Sequence, residues 1–282
     1  IPGDDDPTLR WADDVDAILV PGSLVLIDFA HSADQLVGVP ADGGFIPNLA
    51  WEHAAELLGS GSQSSLRSTF IDKHQAADAF IERTTKGGLH ICYSQVTNTN
   101  NARGGAIKAA DAIRDHIFAH PDHEFFYSRE ARRTRLDIGG SPAAYFGGSV
   151  PASNYLFHVS RVLGFLPTSG VHLTGSARSP STQSLGETFN SIGFTGWTGT
   201  APGSASGLLC YLAFFGNYDA YQSSANNKSA SDILRRIYLE DLTVSGRTYE
   251  EVEEERATLW AANLATGGRF ADDSWTAVSE LP

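Results

Sequence analysis

The densest group of metal-binding or acid–base side chains lies at positions 115–124, which read DHIFAHPDHE. His116 and His120 are four positions apart, so on a helix both imidazoles project from one face, as zinc-binding histidines do. Ile117 replaces the glutamate that follows the first histidine in zinc-hydrolase helices, and Pro121 ends a helix directly after the second histidine. We therefore favour a solvated helix end whose imidazoles interact with the helix dipole, and we predict no metal site.

The sequence contains no complete hydrolase motif. A serine nucleophile requires Gly-x-Ser-x-Gly at a strand-to-helix elbow, but residues 203–207 (GSASG) have the wrong spacing and residues 139–143 (GGSPA) lack the last glycine. Glu240 and Asp241 are adjacent on a predicted strand, so their side chains point to opposite faces and cannot act on one sugar together. We interpret Asp28 as a surface or turn group. We therefore predict no catalytic residues and no cofactor.

Two tryptophans are candidates for contact with a ligand or a partner. Trp197 lies in GFTGWTG, a Gly/Thr-rich strand on which an exposed ring would stack on a sugar or on another chain. A core tryptophan is the slightly favoured alternative. Trp11 lies in the acidic, Pro-containing stretch 1–16, which we interpret as an N-terminal arm anchored by this ring. An ordinary frayed terminus is the equal alternative.

Composition restricts the classes of partner. The net charge is −13 and Lys and Arg total only 20, which argues against a nucleic-acid surface. No apolar run reaches the roughly 18 residues that a membrane-spanning helix needs, and 41% hydrophobic residues suffice for a core. Cys92 and Cys210 lie in apolar runs, so buried free thiols are favoured over one disulfide. The chain begins at Ile1 and contains no Met, so we expect a leading segment to be missing.

The pattern of apolar residues and turns predicts a mainly β protein. Predicted strands cover 20–29, 88–97, 124–135, 155–165, 193–198 and 208–215. Predicted helices cover 48–58, with Asn48 as its cap, and 106–119, while 69–83 fits either a helix or two strands. Long Gly/Ser/Thr/Pro loops are predicted at 174–186 and 198–207, where contacts with ligands or partners concentrate.

The last 46 residues carry the clearest local signals. A strand containing Ile237, Leu239, Leu242 and Val244 is followed by a turn at 245–247. Thr248 and Glu251 then form a capping box that begins a helix. We predict that Gly267 and Gly268 end this helix and that a closing strand covers 269–278.

These elements predict the α+β class, mainly β, as an antiparallel β-sandwich of the lectin or jelly-roll kind with about three appended helices. The predicted organisation is an arm at 1–16 and a single sandwich-type domain at 17–282 with helical insertions.

The sequence resembles uncharacterised virion proteins of tailed bacteriophages. The segments that carry the resemblance are GFIPNLAWEHAAELLGSGS, KGGLHICYSQV, AIRDHIFAHPDHEFFYSREARRTR and IYLEDLTVSGRTYEEVEEERATLWAANLATGGRFADDSW. The resemblance begins near Gly44 and covers about four-fifths of the chain, and it transfers no functional residue. It implies a structural, tail-associated role in a fibre, tip or neck, and a lectin-like sandwich fold.

The sequence thus predicts a non-enzymatic structural protein of the virion that acts through protein–protein contacts. Expected partners are other virion proteins, further copies of the chain in a homo-oligomer and host-surface glycan; nucleic acid and membrane insertion are not expected. The first alternative is a carbohydrate-binding, lectin-like module with Trp197 or loop aromatics in a shallow site, with or without Ca²⁺ on loop Asp and Asn residues. The second alternative is a polysaccharide-degrading glycoside hydrolase.

Overall fold

A computed structural model describes most of the chain outside its first 17 residues. The described residues are 18–31, 38–74, 77–96, 104–136, 138, 145–146, 157–160, 164–167, 170–178, 184–197, 210–215 and 230–281. The predicted arm at 1–16, with Trp11, lies outside them, as does the predicted loop at 198–207. None of the helices in these ranges has the length and apolarity needed to cross a membrane.

Strands dominate the described ranges. They are β1 Ser23–Asp28, β2 Phe45–Ile46, β3 Ser68–Asp72, β4 Ala79–Arg83, β5 Leu89–Tyr93, β6 Gly105–Lys108, β7 Phe125–Arg135, β8 Tyr145–Phe146, β9 Phe157–Ser160, β10 Gly164–Pro167, β11 Gly170–Arg178, β12 Gly186–Trp197, β13 Tyr211–Phe215 and β14 Ser231–Asp241. The helices are α1 Trp51–Leu58, α2 Asp111–Ala119, the single turn α3 Leu242–Ser245 and α4 Tyr249–Leu264, with a 3-10 turn at Val278–Glu280.

Strand β14 is the centre of a seven-stranded antiparallel sheet. Strand β7 pairs along its whole length on one side, and β12 and then β11 continue the sheet beyond β7. On the other side β14 pairs first with β5 and then with β1, and β4 lies outside β5. The sheet therefore brings residues far apart in the chain to both edges of one strand.

A β-bulge divides β14 into two halves. Leu234 lies opposite Ala131 and Arg236 lies opposite Glu130, so Arg235 is the extra residue. In a regular strand Leu234 and Ile237, three positions apart, would point to opposite faces. The bulge removes this conflict, because both side chains join one apolar core while the two adjacent arginines bind carboxylates on the other face.

The core face of the large sheet packs against a second sheet of order β13-β6-β3-β2. Phe70, Ile107 and Leu212 from the second sheet share one hydrophobic cluster with Ile237 and Leu239 of β14. Helices α1 and α2 contribute to the same cluster, through side chains that include Ala54, Ile113 and Ile117. A third sheet has the order β10-β9-β8. The predicted mainly antiparallel α+β class is confirmed, with two sheets facing each other over one core.

Helix α4 covers the opposite face of the large sheet. Its first turn carries the predicted capping box, in which Thr248 and Glu251 each bond the other's backbone amide. Tyr249, Val252 and Trp260 are buried against the sheet. Arg256 is buried on the same helix face, 1% exposed, so this side of the sheet contains buried charge as well as apolar contacts.

Several predicted elements are corrected by the structure. Strand β14 ends at Asp241, because the Asp241 side chain accepts from the Val244 amide and begins the turn α3. Helix α4 ends at Leu264 with Ala265 as its C-cap, before the two predicted glycines. Residues 269–278 form no strand; their side chains and backbone bond to separated parts of the sheet, including Thr85 and Glu82.

Two local predictions before residue 120 also change, and one open alternative is decided. The predicted helix at 106–119 begins only at Asp111, because 105–108 pair with β3 and β13 in the second sheet. Asn48 does not cap α1; its side chain bonds Leu26 N, Leu24 O and Ala50 N and so holds β1. The alternative of two strands at 69–83 is the correct one.

The remaining strand boundaries are refined. The predicted strand at 155–165 is a pair of strands, β9 and β10. The predicted loop at 174–186 is occupied by β11 as far as Arg178.

Candidate functional site

A cleft of about 270 Å³ lies where the segment after α4 crosses the helix-covered face of the sheet. Its walls combine aromatic and charged side chains. The sequence does not predict a site here. The lining residues are Arg132, Glu187, Leu264, Phe270, Ala271, Asp272, Asp273 and Trp275. We call residues 269–276 the C-terminal segment and this depression the Arg132–Trp275 cleft.

Asp28 fixes the beginning of the C-terminal segment. Its Oδ2 accepts from Arg236 Nη2 at 2.7 Å and from Arg269 Nη1 at 2.6 Å, and its Oδ1 accepts from Arg269 Nη2 at 2.8 Å. Of the two sequence-based interpretations of Asp28, the surface group is wrong, since the residue is 1% exposed. The turn group is confirmed, since Asp28 Oδ1 accepts from Ala30 N at 3.1 Å. Burial alone would raise the pKa of Asp28, but Arg236 and Arg269 together hold the pKa well below its usual range.

Arg235, the bulge residue, fixes the middle of the same segment. Its Nη1 donates to Asp273 Oδ2 at 2.7 Å and its Nη2 donates to Glu187 Oε1 at 3.3 Å. The guanidinium carbon also lies 4.3 Å from the centre of the Phe270 ring. The side chain is fully buried, so one guanidinium beneath the cleft positions two carboxylates and one aromatic wall.

Arg132 and Glu187 form the sheet side of the cleft. Arg132 Nη1 donates to Glu187 Oε1 at 2.8 Å, and the Arg132 guanidinium lies 4.7 Å from the centre of the Trp275 ring. The second carboxylate oxygen, Glu187 Oε2, is buried and accepts no hydrogen bond from the described residues. A buried acceptor without a donor is costly. The exposed surface of the pair is 36% of the Arg132 side chain and 19% of the Glu187 side chain, and this surface faces the cleft.

Asp272 gives the cleft an unusual backbone. Its φ is 57°, and it is the one non-glycine residue with a positive φ in the described ranges. Aspartate tolerates this left-handed conformation better than most residues, yet the conformation still costs free energy. Such strain concentrates at binding sites, and here it places an exposed carboxylate at the cleft next to Asp273.

The histidines singled out by their spacing lie elsewhere, at the far end of β14. His116 is buried, so the prediction that it sits on a solvated helix end is wrong. Its partners are Asp241 and, through Asp241, His123, while the predicted companion His120 stacks on both rings. Glu240 has different partners, Tyr238 and Arg247, so the predicted opposite orientation of the adjacent carboxylates is confirmed.

The contact residues chosen from sequence, Trp11 and Trp197, fall wholly or in part outside the described atoms. Trp197 is the last residue of β12 and pairs with Gly170, and its side chain lies outside the described atoms. Trp275 is absent from the predicted contact residues because its surroundings are predicted to form a strand. The available signal was the pair Asp272-Asp273 between Phe270 and Trp275, an arrangement of acids flanked by aromatics that follows the helix directly.

Both cysteines are buried free thiols, as predicted. Burial raises the pKa of Cys210 to about 12 and also raises the pKa of Cys92. A nucleophilic cysteine needs a lowered pKa, so neither thiol has the environment of a catalytic group.

Comparisons with known proteins assign no family. No protein-family model matches the chain, and no curated protein matches it. Among solved structures, a Trypanosoma rangeli sialidase in complex with sialic acid is similar at 10% identity with a TM-score of 0.36, over 87% of this chain and 37% of that chain. The same sialidase in complex with 2,3-difluoro-KDN gives 13% identity and a TM-score of 0.32, over 86% and 39% of the respective chains. The chain thus spans less than two-fifths of these proteins, and a likeness this weak carries no argument about function.

Proposed function

We propose that this chain is a non-catalytic structural and recognition protein of a tailed-bacteriophage particle, and that the Arg132–Trp275 cleft binds a glycan of the host surface. The observation that carries the recognition role is the cleft itself, which is held in shape by buried ion pairs. The sequence resemblance supports the virion setting. Multiple copies on a particle would raise the avidity of a weak single site.

The chemistry of the cleft suits a polyhydroxylated ligand. Arg132, with 36% of its side chain exposed, supplies guanidinium donors at the cleft, and Glu187 lies beside it with 19% of its side chain exposed. Phe270 and Trp275 provide apolar surface of the kind that packs on the C–H face of a sugar ring. Ligand sites in general combine such apolar walls with a few fixed polar groups, and the volume suits one sugar unit of a longer chain.

The contacts around the cleft indicate a site that is formed before the ligand binds. Arg235 holds both Glu187 and Asp273, and Arg269 holds the start of the segment against Asp28. Because these contacts exist before any ligand arrives, little side-chain entropy remains to be lost on binding. The side chains of the cleft lose this entropy when the chain folds, before the ligand binds.

A glycan array followed by calorimetry tests the proposal, with purified chain and two matched variants. Trp275→Ala removes the aromatic wall beneath Arg132. Phe45→Ala is the control, because Phe45 is an exposed aromatic with Arg67 4.1 Å from its ring centre on the other sheet. We expect selective binding by the wild type, a loss of about tenfold or more in Trp275→Ala, and unchanged affinity in Phe45→Ala.

Three outcomes would contradict the recognition role, and a fourth would contradict the structural role. Absence of binding to any bacterial surface glycan removes the recognition role, and equal affinity of Trp275→Ala and wild type removes the cleft. Release of reducing ends from the bound polysaccharide would show that the chain is an enzyme.

The structural role has its own measurement. The chain should assemble with itself or attach to particles that lack it, and an inert monomer would contradict this role.

A further inference from the structure

Three potential ligands converge at the end of β14, far from the cleft. His116 Nε2 lies 2.8 Å and His123 Nδ1 lies 2.7 Å from the same oxygen, Asp241 Oδ2. All three ligand atoms lie within 4.8 Å of one another. His116 comes from the last turn of α2, His123 from the loop before β7 and Asp241 from β14, so the cluster joins three separate elements.

The protein backbone holds these three elements in place. Leu242 N donates to Glu124 O at 2.8 Å and Glu124 N donates to Thr243 Oγ1 at 2.9 Å, which fastens the residue after His123 to the residues after Asp241. His123 N donates to His120 O at 3.1 Å, which fixes the loop to the end of α2. Because these hydrogen bonds already hold the three backbone segments together, little backbone entropy is lost when an ion binds.

The outer hydrogen bonds also orient the ligand atoms. Val244 N donates to Asp241 Oδ1 at 3.1 Å, which leaves Oδ2 directed at both imidazoles. His120 Nδ1 donates to the His116 carbonyl at 2.9 Å, and the His120 ring lies 4.3 Å from the His116 ring and 4.6 Å from the His123 ring, centre to centre. Outer contacts of this kind tune metal affinity in known sites.

We propose that His116, His123 and Asp241 bind one transition-metal ion, with Zn²⁺ as the preferred ion. Two imidazole nitrogens and one carboxylate oxygen form a three-ligand set that suits Zn²⁺ and other imidazole-binding ions, whereas Ca²⁺ and Mg²⁺ select oxygen ligands. His123 is partly exposed, with 20% of its side chain accessible. Water fills the fourth position from this side.

Entry of the ion requires the three ligand-atom separations to adjust, including that of the two nitrogens, which lie within 4.8 Å of each other. Zn²⁺ bonds of about 2.0–2.1 Å at tetrahedral angles place neighbouring ligand atoms roughly 3.3 Å apart. The two N···O separations of 2.7 and 2.8 Å must therefore open by about half an ångström. On binding, each nitrogen that faces Asp241 presents its lone pair to the ion, and the neutral ring carries its proton on the other nitrogen.

The bound ion acts as a structural fastener. It ties the end of α2 and the start of β7 to the end of β14, the central strand of the sheet. Arg235 and Asp241 are six positions apart on that strand, or about 20 Å, so the ion does not reach the Arg132–Trp275 cleft. Failure of either proposal leaves the other standing.

Titration of metal-free protein with ZnCl₂, with calorimetry and elemental analysis, tests this proposal. The variants are His123→Gln, which removes a ligand, and His120→Gln, which changes a stacked neighbour. We expect one Zn²⁺ per wild-type chain and a rise in melting temperature with Zn²⁺. Affinity should fall by at least about 100-fold in His123→Gln, which loses a ligand, and by about tenfold in His120→Gln, which loses only an outer contact. Co²⁺ should give the visible spectrum of a four-coordinate site.

Two results would overturn the site. One is a wild-type chain that binds no Zn²⁺ or Co²⁺ at millimolar concentration; the other is His123→Gln that binds as tightly as wild type. If His123→Gln does not fold, X-ray absorption of the Zn²⁺-loaded wild type decides the question. Two imidazoles and additional oxygen ligands support the site, and a shell without two imidazoles rejects it.

Discussion

The two faces of the seven-stranded sheet are both buried, but by different means. The core face presents Leu234, Ile237 and Leu239 to an apolar cluster shared with the second sheet. The helix-covered face buries Asp28 and Arg236 among its side chains, at 1% and 0% exposure. Apolar burial is non-directional, whereas ion pairs demand specific geometry. The comparison indicates that the core face supplies most of the stability, whereas the charged groups of the helix-covered face fix where α4 and the C-terminal segment lie.

The buried ion pairs of the helix-covered face each join two different elements of the fold. Glu130 on β7 accepts from Arg256 on α4 at 2.5 Å, and Arg236 on β14 joins Asp28 on β1. Arg269 extends the set into the C-terminal segment through the same aspartate. Buried ion pairs contribute little net stability over apolar contacts. We infer that their role here is to fix where α4 and the C-terminal segment lie.

The largest expected effect comes from breaking the helix-covered face at its centre. Asp28→Asn removes the buried carboxylate that both Arg236 and Arg269 bind, so the free energy of unfolding should fall by about 3–5 kcal/mol. Urea denaturation of the variant and wild type measures this loss. A loss under about 1 kcal/mol would show that the buried arginines find other partners and that Asp28 is not the centre of the face.

The next largest effect is a pH dependence of stability that arises from the helix-covered face and not from the core face. Burial would raise the pKa of Asp28, but Arg236 and Arg269 outweigh it and lower the pKa. The resulting stabilisation is present above the unfolded pKa of about 3.9 and is lost as pH falls through that value towards the lowered folded pKa. This group should contribute a slope of up to about 1.4 kcal/mol per pH unit below pH 4.

Asp28→Asn should therefore lose less stability than wild type between pH 5 and about pH 3. Denaturant titrations at a series of pH values measure the difference in slope. Parallel curves for the two proteins would contradict the assignment of a lowered pKa to Asp28.

A small change on the core face provides the contrasting case. Ile237→Val removes one methylene from a fully buried side chain and should cost about 0.5–1.5 kcal/mol. Because no charge is involved, the loss should be the same at pH 7 and at pH 4. A pH-dependent loss would mean that the two faces do not behave independently.

The smallest expected effect concerns the strained residue of the C-terminal segment. Asp272→Gly removes the side chain that disfavours a φ of 57°, and glycine's greater unfolded-state entropy offsets part of the gain. We expect a net stabilisation of about 0.5 kcal/mol, with Asp272→Asn unchanged as the control. Differential scanning calorimetry resolves the shift. A destabilised glycine variant would show that the Asp272 side chain holds the segment.

Local sequence signals predicted local structure well. The Thr248–Glu251 capping box is confirmed because both partners lie within one turn of helix. The opposite orientations of Glu240 and Asp241 are confirmed because alternation is a property of the strand alone. The phase change between Leu234 and Ile237 was also present in the sequence, and a β-bulge is its simplest explanation.

The candidate sites escaped prediction because they join distant positions. His116 and Asp241 are 125 residues apart, and Arg269 and Asp28 are 241 apart. No periodicity within one element reports such pairs. The C-terminal segment is predicted as a strand, whereas its partners in the structure are side chains of other strands. Trp11 and the side chain of Trp197 lie outside the described atoms, so their role in contacts stays a prediction.

The most direct test of the recognition cleft observes Trp275 while a glycan binds. The chain has five tryptophans, and comparison with Trp275→Phe assigns the Trp275 indole N–H signal in a two-dimensional NMR spectrum. We predict that a glycan selected on the array shifts this signal in a saturable manner and leaves the signals of the other four nearly unchanged. Saturable binding with an unmoved Trp275 signal would contradict the claim that the charged face holds the C-terminal segment in place to form a recognition cleft.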